Sequence, residues 1–211
     1  MSTFRTPAPI AITVDVLSGD VTVIASDRTD TVVAVRPADP AKKGDVRAAE
    51  QTQVDFTAGT LTVKTPKQWR TYTPFGGNPS ITVTIEVPTG SQLKATAGVG
   101  RLLGTGELGE CDLAIAAGDI TVERPGDSVT AKVAKGDIRI GEASRGVLRL
   151  ETAVGELEVG IHPGSAVRLE TNALQGSVLN AMSPINQLEK AETVQVFARN
   201  SFGNITIRHA A

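Results

Sequence analysis

Residues 116–141 read AAGDITVERPGDSVTAKVAKGDIRIG, and within them Gly-Asp-Ile-x-(Val/Ile) occurs at Gly118 and again eighteen residues later at Gly136. A glycine, a polar residue and then aliphatic-x-aliphatic return at Gly19 (SGDVTV), Gly100 (VGRLL), Gly155 (VGELEV), Gly176 (QGSVLN) and Gly203 (FGNITI). From Gly100 onward the steps are 18, 18, 19, 21 and 27 residues. Repetition at a near-constant period is the signature of stacked structural units, so it is read before any local motif.

Positions not used to find the repeat support it. Seven residues before each glycine stand Ile12, Leu93, Cys111, Val129, Leu148, Leu169 and Val196; five before stand Val14, Ala95, Leu113, Ala131, Leu150, Thr171 and Ala198. Three before come Val16, Ala97, Ile115, Val133, Thr152, Ala173 and Asn200, while intervening residues such as Lys94, Lys132 and Glu151 are mostly polar. Apolar residues at −7, −5, −3, +2 and +4 describe two strands of period 2 with a corner at the glycine. One unit cannot bury its own apolar face, but stacked units can. Six coils between Leu93 and Ile207 would rise about 29 Å at the spacing of adjacent strands.

Composition agrees. In 211 residues the aromatics are 3%, against 40% hydrophobic residues, 21 glycines and 11 prolines. That balance predicts an all-β chain with a thin core of Val, Ile, Leu, Ala and Thr. The formal net charge of −2 and pI near 5.7 argue against nucleic acid or an anionic membrane as partner. MSTFRTPAPI lacks the charged start and apolar run of a signal peptide, and no stretch approaches a membrane span, so a cytoplasmic location is expected. The single cysteine excludes an internal disulfide.

Before residue 90 the pattern loosens. ITVDVLSGDVTVIAS fits the coil template, whereas TVVAVRP, QVDFTAGTLTVKTP and SITVTIEVPTG read as alternating strands, with TAGT as a hairpin turn. PADPAKKGDVRAAEQ suits a loop or one short helix. Residues 1–90 are therefore expected to form an N-terminal β-sheet cap containing a first coil-like unit. Residues 91–211 are expected to form the solenoid, packed with the cap as one continuous domain.

TPAPIAITVDVLSGDVTVIASDRTDTVVAVRPADPAKKGDVRAAEQTQVDF, KTPKQWRTYTPFGG, GSQLKATAGVGRLLGTGELGECDL and ETVQVFARNSFGNITIRHA together resemble the actinobacterial branch of the DUF4097 "putative adhesin" family, whose members carry tandem β-strand repeats. The resemblance spans nearly the whole chain. It implies a β-solenoid wound as a right-handed β-helix, and it brings no catalytic residues.

Chemistry-bearing residues are few. Asp119, Asp137 and Glu156 would stack at the corner, but the Gly- and Asp-rich nonapeptide of calcium-binding β-rolls is missing, and Arg101, Ser177 and Asn204 interrupt the column. Solvated corner carboxylates are expected there rather than a metal site. Cys111 falls in an inward column and reads as a small core hydrophobe. His162 and His209 have no fixed-spacing partners and read as surface residues. Trp69, Tyr72 and Phe75 gather beside Arg70 in KQWRTYTPFGGNP, a loop holding the chain's one Trp and one Tyr. These residue types carry interface energy, so the loop is a candidate partner-binding site; the competing reading is a cover over the cap's edge.

The function expected from the sequence is a non-catalytic β-solenoid scaffold or protein-interaction module without cofactor or metal. Its partner would be another protein or a second copy meeting the end near Ile207. The alternatives are a carbohydrate-binding, adhesin-type module and a carbohydrate-active β-helix enzyme. Charged residues spread along the outward columns speak against the enzyme.

Overall fold

The structure, a computed structural model, describes residues 1–66, 79–182 and 192–210. In chain order, β1 (Ser2–Arg5), β2 (Ala11–Ser26) and β3 (Asp30–Pro37) precede the helix α1 (Lys43–Gln51). β4 (Gln53–Thr57), β5 (Thr60–Lys64), β6 (Ile81–Pro88), β7 (Gln92–Leu108) and β8 (Cys111–Pro125) follow. Next come β9 (Val129–Lys135), β10 (Ile138–Ala143), β11 (Gly146–Val154) and β12 (Leu157–Ile161). β13 (Ala166–Gln175), β14 (Val178–Asn180), β15 (Thr193–Phe202) and β16 (Ile205–His209) complete an all-β chain with one helix. No described helix is long and apolar enough to cross a membrane.

Two parallel ladders organise the strands. Segments that precede the glycines pair in the spatial order β5, β2, β7, β8, β9, β11, β15, β13. Segments that follow the glycines pair in the order β6, β2, β7, β8, β10, β12, β16, β14. The register is the one the columns predict: Ile12 pairs with Leu93, Leu93 with Cys111, Cys111 with Val129 and Val129 with Leu148. These inward residues are buried, as are Ile120, Val122, Ile138 and Ile140 beyond the corner. The sheet does not close on itself, since β1 ends one path and β14 the other.

The glycines stack as tightly as backbone permits. A Cβ on Gly118 (φ 128°) would lie 1.7 Å from the carbonyl oxygen of Gly100, and one on Gly136 (φ 141°) would lie 2.1 Å from that of Gly118. The same contact repeats from Gly155 to Gly136, Gly203 to Gly155 and Gly176 to Gly203. No L side chain fits between neighbours at that distance, and the positive φ adds strain for any residue with a Cβ. Where the −3 column turns polar, the corner supplies the partner: Thr152 Oγ1 donates to the Gly136 carbonyl at 2.9 Å, and Asn200 Nδ2 to the Gly155 carbonyl at 2.7 Å. Buried polar groups are thus satisfied without leaving the column.

One expectation needs correction: space does not follow chain order at the C-terminal end. The last repeat, β15 and β16, inserts between β11/β12 and β13/β14, so Ile207 is buried between Val159 and Asn180 and is not an end. Apolarity explains the placement: Val194, Val196, Ala198, Ile205 and Ile207 fill buried positions, whereas β13 and β14 offer Thr171 and a wholly exposed Val178–Asn180 segment. Within residues 1–90 space also departs from chain order: β2 belongs to both ladders and sits between β5/β6 and β7, so the unit of residues 60–88 lies outside it.

Antiparallel strands finish the N-terminal end: β3 on β6, β1 on β3 and β4 on β5. The β4–β5 hairpin turns through Ala58 (φ 51°) and Gly59 (φ 78°), the two positive angles of a type I′ turn. Phe4 and Phe56 meet with ring centroids 5.2 Å apart, tying β1 to β4. Helix α1 is pinned by the buried Asp45 carboxylate, which accepts the Asp39 and Ser80 backbone N–H groups at 3.1 and 3.0 Å.

Gly136→Ala is expected to destabilise the fold by about 3 kcal/mol or more, because strain and a backbone clash act together. Gly59→Ala, at a turn with nothing within 4 Å of the added Cβ, should cost only the turn strain of about 1 kcal/mol. Urea denaturation of the two variants checks the ranking. Cys111 is buried, and desolvation, with Glu110 as a second cause, pushes its thiol from 9.0 up to about 12. A folded pKa above the unfolded one means that the unfolded chain loses the proton first, so this contribution to stability falls as pH rises from 9 towards 12. Urea midpoints of the wild type and Cys111→Ala should therefore converge across that window.

Candidate binding groove

The outward face of the first ladder carries a groove. Two positions before each corner, the spatial order reads Gly98, Ala116, Ala134, Ala153, Ser201 and Leu174, a line of small residues ending in one large one. Small side chains in an outward column leave a trough across the strands. Its volume is about 670 Å³, and its length over six strands is roughly 24 Å. One wall is the preceding outward column, with Lys132, Glu151 and Arg199 side by side. In the column beside the corner, Val99, Val154 and Phe202 stand about half exposed.

Charge is uneven along the first wall. Lys132 Nζ lies 4.0 Å from Glu151 Oε2, while the Arg149 guanidinium lies over the Phe197 ring at 5.2 Å from its centroid. Lys132, Arg149 and Arg199 also line a second hollow of about 320 Å³ with Phe197 and Glu151. Three cations around one carboxylate give this stretch a local positive balance on a chain whose overall charge is negative. An arginine over an aromatic ring retains N–H groups for a ligand.

The corner carboxylates, exposed at Asp119 and Glu156, also serve the backbone. Asp119 Oδ1 accepts the Asp137 N–H at 2.9 Å, Asp137 Oδ1 accepts the Glu156 N–H at 2.8 Å, and Glu156 Oε2 accepts the Asn204 N–H at 3.2 Å. Asn204 Oδ1 continues the series to the Ser177 N–H at 3.0 Å. After Gly118, Gly136, Gly155 and Gly203 the polar residue is thus an acceptor for the neighbouring repeat's backbone. At the other end of the column Arg101 donates to Asp20 at 2.7 Å, and that bond raises its pKa. Among the described residues no group of three or more His, Cys, Asp or Glu is placed to hold a metal ion.

His162 Nδ1 accepts the Gly164 N–H at 3.1 Å, closing the turn before β13. His209 is half-buried at the end of β16, with Nδ1 enclosed and unpartnered, rather than at the surface. Trp69, Arg70, Tyr72 and Phe75 lie outside the described residues. The groove was not anticipated. Its signal is Ala114, Ala116, Ala134 and Ala153 in columns that elsewhere hold longer polar residues.

The fold resembles that of solved proteins. A crystal structure described as a "putative cell adhesion protein" from Clostridium sporogenes ATCC 15579 matches with a TM-score of 0.55 at 11% identity, over 99% of this chain and 98% of that one. A "putative adhesin" from Bacteroides fragilis NCTC 9343 gives a TM-score of 0.42 at 12% identity, over 98% of this chain and 95% of that one. Another, from Parabacteroides merdae ATCC 43184, gives 0.36 at 12% identity, over 98% and 94%. No family model and no curated protein matches the sequence. At 11% identity the likeness to the Clostridium protein is one of fold.

Proposed function

We propose that this chain is a non-catalytic interaction module built as a β-solenoid, wound as a right-handed β-helix, whose groove receives an extended polypeptide. The parallel ladders and the right-handed rule for parallel crossovers support the winding. The groove is the observation that carries the function. Its small-residue floor lets a backbone approach closely, and its length suits about seven extended residues at 3.3–3.6 Å each. Lys132, Glu151 and Arg199 along the wall give such a peptide both signs of charge to pair with. The residues that carry the DUF4097 resemblance, together with the fold shared with the Clostridium protein, support placing the chain in that family. A second reading, a carbohydrate-binding adhesin-type module, draws on the description of that same structure.

Peptide and glycan arrays probed with the whole protein test both readings. Peptide binding that falls about tenfold or more in Ala134→Arg, with unchanged β-sheet circular dichroism, is expected, since residue 134 is exposed and the new side chain fills the floor. Binding confined to glycans would favour the second reading. Retention on neither array, or equal binding by the variant, would overturn the groove as the site.

A further inference from the structure

The two ends of the stack are finished differently. Antiparallel strands and a helix cover the N-terminal end, whereas the C-terminal end stops on the parallel strands β13 and β14. Among the described residues nothing pairs with the outer edge of either. Stacked-repeat proteins generally need a terminal repeat with a polar outer face. Here the inward residues Val167, Leu169 and Ala173 are only partly covered, and Leu174, Val178 and Leu179 are 74%, 45% and 58% exposed. β13, AVRLETNALQ, also lacks the proline and lysine that protect edge strands.

We propose that two copies of this chain join end to end through β13, the strands running antiparallel about Leu169. Charge selects both the partner and the register. In a pairing centred on a residue, side chains keep their faces, so Val167, Leu169 and Thr171 stay inward and continue the core across the junction. Centred on Leu169, Arg168 of each copy stands opposite Glu170 of the other, twice, and Leu169 meets its own equivalent. Centring on Arg168 or Glu170 would oppose like charges, which destabilises a cross-strand pair. The strand is therefore complementary to itself in one register, as a two-fold interface requires. Head-to-tail addition would not continue the parallel ladders, because the outer strands β1 and β4 run antiparallel to their neighbours β3 and β5. This interface is separate from the groove reading and stands or falls independently of it.

Sedimentation equilibrium of the whole protein over a wide concentration range is the test. A dimer of twice the 22.0 kDa chain is expected. Glu170→Arg, which sets cations opposite one another, should weaken it at least about tenfold, and so should Arg168→Glu. The double variant Arg168→Glu with Glu170→Arg should restore it, and Ala134→Arg should leave it intact. Both charged residues are exposed, and circular dichroism confirms that the variants fold. A wild type that stays monomeric throughout would overturn the proposal, as would a dimer indifferent to Glu170→Arg or a charge exchange that fails to restore pairing.

Discussion

Everything in this molecule is spaced by the contact between one corner glycine and the carbonyl of the next. With an added Cβ falling 1.7–2.1 Å from that oxygen along the column, a side chain at any corner would push two repeats apart and break the ladder hydrogen bonds on both sides. The turn at the corner also leaves the following N–H without a straightforward ladder partner. A short acceptor one residue on, Asp119, Asp137 or Asn204, collects the neighbour's N–H and closes the gap. Gly-Asp-Ile therefore names three separate demands: close approach, an acceptor for the next repeat and a return to the core.

That division explains why so much of the architecture was legible. A position repeated seven times reports its environment even when single residues mislead, so Thr152 and Asn200 did not obscure an otherwise apolar column. The same logic identifies what was illegible. Periodicity says that two repeats can stack, but it does not say which two, because every repeat offers the same backbone ladder. The order at the C-terminal end is decided by a competition for buried places, and Val194, Val196 and Ala198 win it over Val167, Leu169 and Thr171. The unit of residues 60–88 likewise stacks outside β2, a strand that pairs on both flanks.

The site was less legible than the fold for a related reason. Inward columns are held to one chemistry, while outward columns are free to vary, so a functional face shows as a departure from a polar average that has no sharp value. Ala116, Ala134 and Ala153 are unremarkable one at a time. They form a trough only because the register places them on adjacent strands, with Lys132, Glu151 and Arg199 beside them. The acidic corner residues carried the louder signal, and they serve the backbone.

Insertion of the last repeat has a consequence for how the chain reaches this structure. Among the described residues β13 pairs only with β15 and β14 only with β16, and β15 and β16 pair in turn with β11 and β12. Residues 166–180 thus have no ladder partner until residues 193–209 are in place, although they come earlier in the chain. Their edge ends both ladders and is less apolar than the repeat it covers, which is the combination that suits a junction between copies. A more apolar terminal repeat would expose a stronger aggregation surface during that interval; a more polar one could not extend the core.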